Sequence, residues 1–178
     1  AVQLGFEKMI LKVAFPFLKK IGLLWLTGHL IPAQEHFASS IISHKIIAET
    51  DRLPPAVVPM EKRTVLMFSP PGEHHELPLL FVQFLLRKNG IPTYYFGPGI
   101  KTSLLREFCS EKKVHEVYFH LITNLTRIDL YSYLNELSEQ LPQQRIYFSG
   151  IRPGVEKRLP ERVTYLDNNE SIMKFIGQ

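Results

Sequence analysis

Apolar side chains recur through the first fifty residues at spacings of three and four. Met9, Ile10, Val13, Phe17, Leu18, Ile21 and Leu24 form one such series. That period predicts a helix with a single buried stripe. Pro16 interrupts the series and predicts a kink or a break, because proline lacks the N–H and its ring crowds the preceding turn. Gly28 serves as a stop signal, and Pro32 suits the first turn of a second helix running to about Arg52. Phe37, Ile41, Ile42 and Ile46 fall on one side of it. Two helices alone cannot bury such stripes and must pack on something else. The segment Leu53-Pro54-Pro55-Ala56-Val57-Val58-Pro59 is a linker by composition, stiffened by its prolines.

From Thr64 onward, short apolar runs alternate with helical stretches. The expected strands are Thr64–Ser69, Thr93–Phe96, Glu116–Leu121, Arg145–Ser149 and Val163–Leu166. The expected helices are Leu77–Asn89, Thr102–Lys112, Ile128–Gln140, a short one at Val155–Leu159, and Glu170–Ile176. Strands alternating with helices imply an α/β fold with a parallel sheet covered on both faces. The expected architecture is a flavodoxin/Rossmann-like five-stranded parallel sheet preceded by a partial helical-bundle cap. The cap would occupy residues 1–53, the linker 54–62 and the Rossmann-like domain 63–178. In such sheets ligands sit beyond the carboxyl ends of the strands, at the switch point. The loops to inspect are therefore Pro70–Glu76, Ile122–Arg127 and Gly150–Gly154.

Composition narrows the partners. The chain has 178 residues, 45% hydrophobic and 21% charged, which excludes a disordered or collagen-like class. A net charge of +4 is modest, and its basic residues are scattered as Lys19-Lys20, Arg87-Lys88, Lys112-Lys113 and Lys157-Arg158. They lack the clustering of a nucleic-acid footprint. The single Cys109 excludes an internal disulfide and reads as a small buried hydrophobe. Lys8, Lys12, Lys19 and Lys20 break the greasy start, leaving no run of about 18 uncharged apolar residues and no signal peptide. A cytoplasmic location without membrane association is expected. Because the chain begins at Ala1, an upstream portion is expected to be missing. GxGxxG and Walker loops are absent, which weighs against a nucleotide site.

Two histidine constellations carry candidate chemistry. The loop after the first strand reads Ser69-Pro70-Pro71-Gly72-Glu73-His74-His75-Glu76. A neutral imidazole is a good metal ligand, and a carboxylate two residues away can hold its other nitrogen. The plainer alternative is a solvent-exposed turn with incidental histidines. Neither CxxC nor HExxH is present to make a zinc site. In the helical half, Trp25, the only tryptophan, precedes Glu35-His36. These residues read equally as a core anchor and a polar helix edge. His29, His44 and His115 fall into no pattern.

Spacing then becomes specific. The chain resembles the cobalamin-binding domains shared by methionine synthase and corrinoid proteins. Their pattern is three short motifs at set separations: Asp-x-His-x-x-Gly, then Ser-x-Leu, then Gly-Gly. Here Glu73-His74-His75-Glu76-Leu77-Pro78 occupies the first motif and His120-Leu121-Ile122 the second, with the stretch 79–119 between them. The stretch 123–148 then leads to Ser149-Gly150 in the place of the third. Both separations match the pattern and coincide with expected strand ends. Trp25, followed after nine intervening positions by Glu35-His36, also resembles the Trp-x9-Glu-His signature of cobalamin-dependent MerR-family regulators of the CarH/LitR type. Several of those regulators sense light through adenosylcobalamin.

The resemblance implies a helical bundle over the upper face of cobalamin, in adenosylcobalamin or another form, and a Rossmann-like domain below it. His75 would be the lower axial ligand to cobalt, and Glu73 would accept the imidazole's other N–H. Trp25 would lie over the upper face, with Glu35 and His36 supplying polar contacts. Gly72, His74, His120, Ile122, Ser149 and Gly150 would complete the lower site. The departures are Glu73 for Asp, Pro78 for Gly, His120 for Ser and Ser149 for Gly. Leu26 stands where the light-sensing regulators carry a second histidine, so bis-histidine capture through that position is closed.

The resemblance implies no catalytic residue. It implies a homo-oligomer, and DNA contact only through a winged-helix domain upstream of Ala1. The leading expectation is an effector-sensing domain in which the ligand shifts oligomerisation and so DNA affinity. The alternatives are a corrinoid carrier serving a methyltransferase, and a degenerate interaction module that has lost cobalamin.

Overall fold

A computed structural model describes residues 4–122, 129–151 and 158–177. The chain divides into two compact units, Ala1–Ala48 and Glu49–Gln178.

The first unit is helical. Helix α1 (Phe6–Met9) runs into a π-helical segment (Ile10–Ala14) and then α2 (Phe15–Leu26), with α3 (Pro32–Asp51) following. Pro16 therefore neither breaks nor ends the helix. The backbone widens just before it, and Phe15 N–H bonds to Ile10 O, five residues back. Widening of this kind relieves the clash that proline imposes on an ordinary turn. It also re-aims the side chains. Ile10, Ala14 and Ile21 are buried, whereas Val13 and Phe17, expected in the stripe, are exposed. On α3, Ile46 is buried while Phe37 and Ile41 are exposed. Gly28 ends α2 at φ +76°. His29 N–H reaches Leu24 O and Gly28 N–H reaches Trp25 O, the paired bonds of a Schellman cap.

The second unit holds a five-stranded sheet of order β2-β1-β3-β4-β5. Its strands are β1 (Val65–Phe68), β2 (Thr93–Gly97), β3 (Glu116–Leu121), β4 (Arg145–Gly150) and β5 (Val163–Leu166). Every pairing is parallel. Helices α4 (Leu77–Lys88), α5 (Thr102–Glu111), α6 (Leu130–Gln140) and α7 (Asn169–Ile176) connect or follow the strands. This is the flavodoxin-like α/β architecture, with its switch point between β1 and β3.

The strand sequences explain themselves. Every residue of β1 is fully buried, as expected for a strand covered on both faces. Phe68, Phe119 and Phe148 bring one aromatic each from β1, β3 and β4 into the core, with Phe119 stacked on Phe148 at 5.4 Å. Helix α6 begins at Leu130, capped by the Asp129 carboxylate, which accepts from Ser132 N–H; the expected start at Ile128 lies outside the described residues. Of the expected short helix at Val155–Leu159, residues 155–157 also lie outside them, and 158–159 are not helical. Among the described residues no helix is long and apolar enough to cross a membrane.

The amino ends of β3 and β4 are tied by an ionic cluster. Buried Glu116 accepts from Arg63 at 2.9 Å and from Arg145 at 2.7 Å. The Arg63 guanidinium also lies over the Phe175 ring. Where α5 and α6 end, a shallow hollow of about 460 Å³ is lined by Arg106, Cys109, Glu139 and Gln144 among others. Burial pushes the Cys109 thiol up to about 11, so it stays protonated and unreactive. The loops singled out by the sequence lie at the other end of the sheet.

Candidate functional site

The loop leaving β1 is built to turn a carboxylate inward. Glu73 N–H bonds to Pro70 O at 3.0 Å, closing a turn with Pro71 second and Gly72 third. Gly72 has φ +90°, the conformation a type II turn demands at that place. The turn delivers Glu73 into the interior, where it is fully buried. Its Oε1 accepts from His75 N–H at 2.8 Å and from His75 Nδ1 at 2.7 Å. Its Oε2 accepts from the backbone N–H of Ile122, just past β3, at 2.7 Å. A single carboxylate thus clamps the loops after β1 and β3, the two strands that flank the switch point.

His75 is correspondingly fixed. With Nδ1–H committed to Glu73, Nε2 carries the lone pair, and the ring is 51% exposed. Among the described residues nothing bonds to Nε2. Glu73 departs from the reading of this loop as a wholly exposed turn, because its carboxylate is buried and bonded, while His75 keeps an exposed edge. His74 is exposed.

Pro78 is the second residue of α4. There a helix has no acceptor to offer an N–H, so the donor that proline lacks is not missed. Next to it, Glu76 accepts from the Tyr95 hydroxyl at 2.9 Å. Burial, reinforced by the Glu76 carboxylate, pushes that phenol well up from its ordinary value.

The ends of β3 and β4 face the same loops. His120 is in register with Ser149, and Leu121 with Gly150. His120 Nδ1 lies 2.7 Å from Ser149 Oγ, which lies 2.7 Å from the Tyr118 hydroxyl. Position 120, where the resembled pattern has a serine, is turned to Ser149 in this chain, and Glu73 is tied to the end of β3 by the Ile122 backbone. Burial lowers His120 to about 4; Glu73 opposes that shift and His75 adds to it. His120 is therefore neutral near pH 7. Gly150 has φ +96°, and a Cβ there would sit 1.9 Å from Leu121 O and 3.1 Å from His120 Cε1. Only glycine lets the two strand ends approach this closely.

Trp25, Glu35 and His36 belong to the helical unit. Trp25 is 45% exposed, so it is not the core anchor of the plainer alternative. Glu35 accepts from Ser39 Oγ at 2.5 Å and lies 3.6 Å from His36 Nδ1. The structure thus groups Gly72, Glu73, His75, His120, Ile122, Ser149 and Gly150 at the carboxyl ends of β1, β3 and β4, and groups Glu35 with His36 on α3. Tyr118 and Tyr95 escaped the sequence reading, because a tyrosine inside an apolar strand looks like any other core residue. His29, His44 and His115 each bond a local hydroxyl or a backbone N–H. Among the described residues no three or more His, Cys, Asp or Glu side chains gather as a metal cage.

No family model matches the chain, and no curated protein matches it by sequence. Solved structures share its fold. The monomethylamine corrinoid protein of Methanosarcina barkeri superposes with a TM-score of 0.68 at 11% identity, covering 95% of this chain and 82% of that one. The methanol:cobalamin methyltransferase complex MtaBC, also from Methanosarcina barkeri, gives a TM-score of 0.53 at 14% identity, covering 96% of this chain and 68% of that one. At such identities the likeness establishes the fold.

Proposed function

We propose that the chain is a corrinoid-binding domain in which His75 is the lower axial ligand to cobalt. The Glu73–His75 pair carries this reading. A buried carboxylate holds Nδ1–H and leaves a basic, half-exposed Nε2 at the switch point of a flavodoxin-like sheet. One outward imidazole without further ligands suits a metal whose remaining positions are filled by a macrocycle. It suits a bare ion poorly. Gly72 would let the ligand approach the backbone, Gly150 would let the ends of β3 and β4 close up beneath it, and Ile122 N–H would keep Glu73 aligned. The corrin, when bound, would supply the cobalt-centred chemistry; the residues of this chain bind, orient and hold the imidazole tautomer.

Of the finer roles, we favour the effector-sensing domain of a MerR-family regulator. Trp25-x9-Glu35-His36 supports it, with Trp25 exposed and Glu35 aligned by Ser39. No catalytic group is required. The corrinoid-carrier reading draws support from the shared fold with the monomethylamine corrinoid protein, which extends over 95% of this chain.

The test is incubation with hydroxocobalamin and with adenosylcobalamin in the dark, desalting, and an absorption spectrum. The expected result is retained colour, lost in His75→Ala. A colourless wild-type protein would overturn corrinoid binding and leave a fold-retaining interaction module. A ligand-dependent change in oligomeric state on gel filtration supports the sensor. Methyl exchange with a methyltransferase partner, with no change of size, supports the carrier.

A further inference from the structure

Strands β3 and β4 carry a hydrogen-bonded chain that the axial histidine does not use. Tyr118 and His120 are two apart on β3 and so share a face, and His120 is in register with Ser149 on β4. Tyr118 is fully buried and stacked on Phe175 at 5.3 Å, and Ser149 is 1% exposed. Ser149 Oγ lies 2.7 Å from both the Tyr118 hydroxyl and His120 Nδ1.

Donor accounting fixes the direction of this chain. Two buried hydroxyl hydrogens, those of Tyr118 and Ser149, need acceptors. If His120 Nδ1 carried a proton and gave it to Ser149, one of those hydrogens would be left buried and unpaired. Both are placed only when Tyr118 donates to Ser149 and Ser149 donates to His120 Nδ1. His120 then holds its proton on Nε2. Among the described residues that N–H has no partner, and the ring is only partly buried.

We infer that His120 is a ligand-contacting donor, its tautomer set by Tyr118 and Ser149, whose Nε2–H bonds an acceptor oxygen of the corrinoid, an amide carbonyl or a phosphate. This rests on the corrinoid reading above. Two residues past His120, Ile122 N–H bonds Glu73 Oε2 at 2.7 Å, so the end of β3 that carries His120 is tied to the axial pair, and both Glu73 and His75 act electrostatically on its ring. Gly150 backs the ring at Cε1, and any larger residue would push it away. A neutral donor suits a carbonyl, and it keeps a second positive charge away from the cobalt ligand.

The experiment is a long-range 1H–15N correlation on protein labelled with 15N-histidine. It is recorded alone, with hydroxocobalamin, and with diaquocobinamide, which keeps the corrin amides but lacks the nucleotide phosphate. His120→Gln assigns the resonances. The free protein should show the Nε2–H tautomer at His120, and Tyr118→Phe should admit the other one. Ligand should shift the Nε2–H resonance and slow its exchange. A shift with both ligands identifies an amide acceptor, and a shift with hydroxocobalamin alone identifies the phosphate. His120→Phe should weaken binding about 3- to 10-fold, and His120→Gln, which keeps an N–H, should restore most of it. An Nδ1–H tautomer, or binding that leaves Nε2–H unmoved, would overturn this inference and leave the corrinoid reading standing. Failure of the wild type to bind either ligand would overturn both.

Discussion

Gly150→Ala probes how closely the two strand ends approach at the site. The new methyl would stand 1.9 Å from Leu121 O, far inside contact distance, at a backbone φ of +96°. Holding a non-glycine residue there costs about 1–2 kcal/mol. Leu121 O cannot retreat freely, because it accepts from Ile151 N–H at 2.9 Å, a bond worth about 1 kcal/mol. Together the loss is about 3 kcal/mol, which for a chain of this size lowers Tm by about 10 °C. Gly99→Ala is the control. It has φ +73° with nothing within 4 Å of the added methyl, so it should cost only the conformational part, about 1 kcal/mol and about 3 °C. Thermal and urea unfolding of both variants measure the difference. Equal losses would refute the close approach at Gly150 and the packing of His120 against it.

Other substitutions test the remaining contacts. Glu73→Gln should weaken corrinoid binding about 10- to 100-fold, because Nδ1–H loses its anionic acceptor; titration by absorbance checks this, and unchanged affinity contradicts the clamp. His120, held near 4 when folded against an ordinary 6.5, binds its proton more readily in the unfolded chain. Stability should therefore fall as pH drops from 6.5 toward 4, by about 3 kcal/mol at most, and urea midpoints of His120→Gln should show a flatter acid limb. Arg63→Ala, which removes a largely buried partner of Glu116 and the cation over Phe175, should cost about 2 kcal/mol in urea unfolding. Arg145→Ala, whose side chain is 63% exposed, should cost less than about 1 kcal/mol.

The sheet was legible because its strands are short apolar runs in a parallel layer covered on both faces. The expected span of β1 overruns the observed strand by one residue at each end, those of β2 and β4 stop one residue short, and those of β3 and β5 coincide with the observed ones. The helical half was less so. A stripe of three- and four-residue spacings assumes one helical period, and the π segment at Ile10–Ala14 breaks that assumption, turning Val13 and Phe17 outward. At the site, Glu73 and His75 were legible as types at a spacing, together with the strand end that carries them. The tie from Ile122 N–H was not, because a backbone donor leaves no mark in the sequence. Nor was the Tyr118–Ser149–His120 chain, since its members lie 29 and 31 residues apart in pairs and meet only through the register of β3 with β4.

The central claim is that His75, and not a base of the ligand itself, holds the lower face of cobalt. Electron paramagnetic resonance of the cob(II)alamin complex tests it directly, using protein labelled with 15N-histidine and unlabelled cofactor. Axial nitrogen splits the cobalt lines into triplets for 14N and doublets for 15N. The account predicts doublets, reverting to triplets or vanishing in His75→Ala. Triplets from the labelled wild-type complex would show that no histidine of this chain ligates the metal, and would contradict the account.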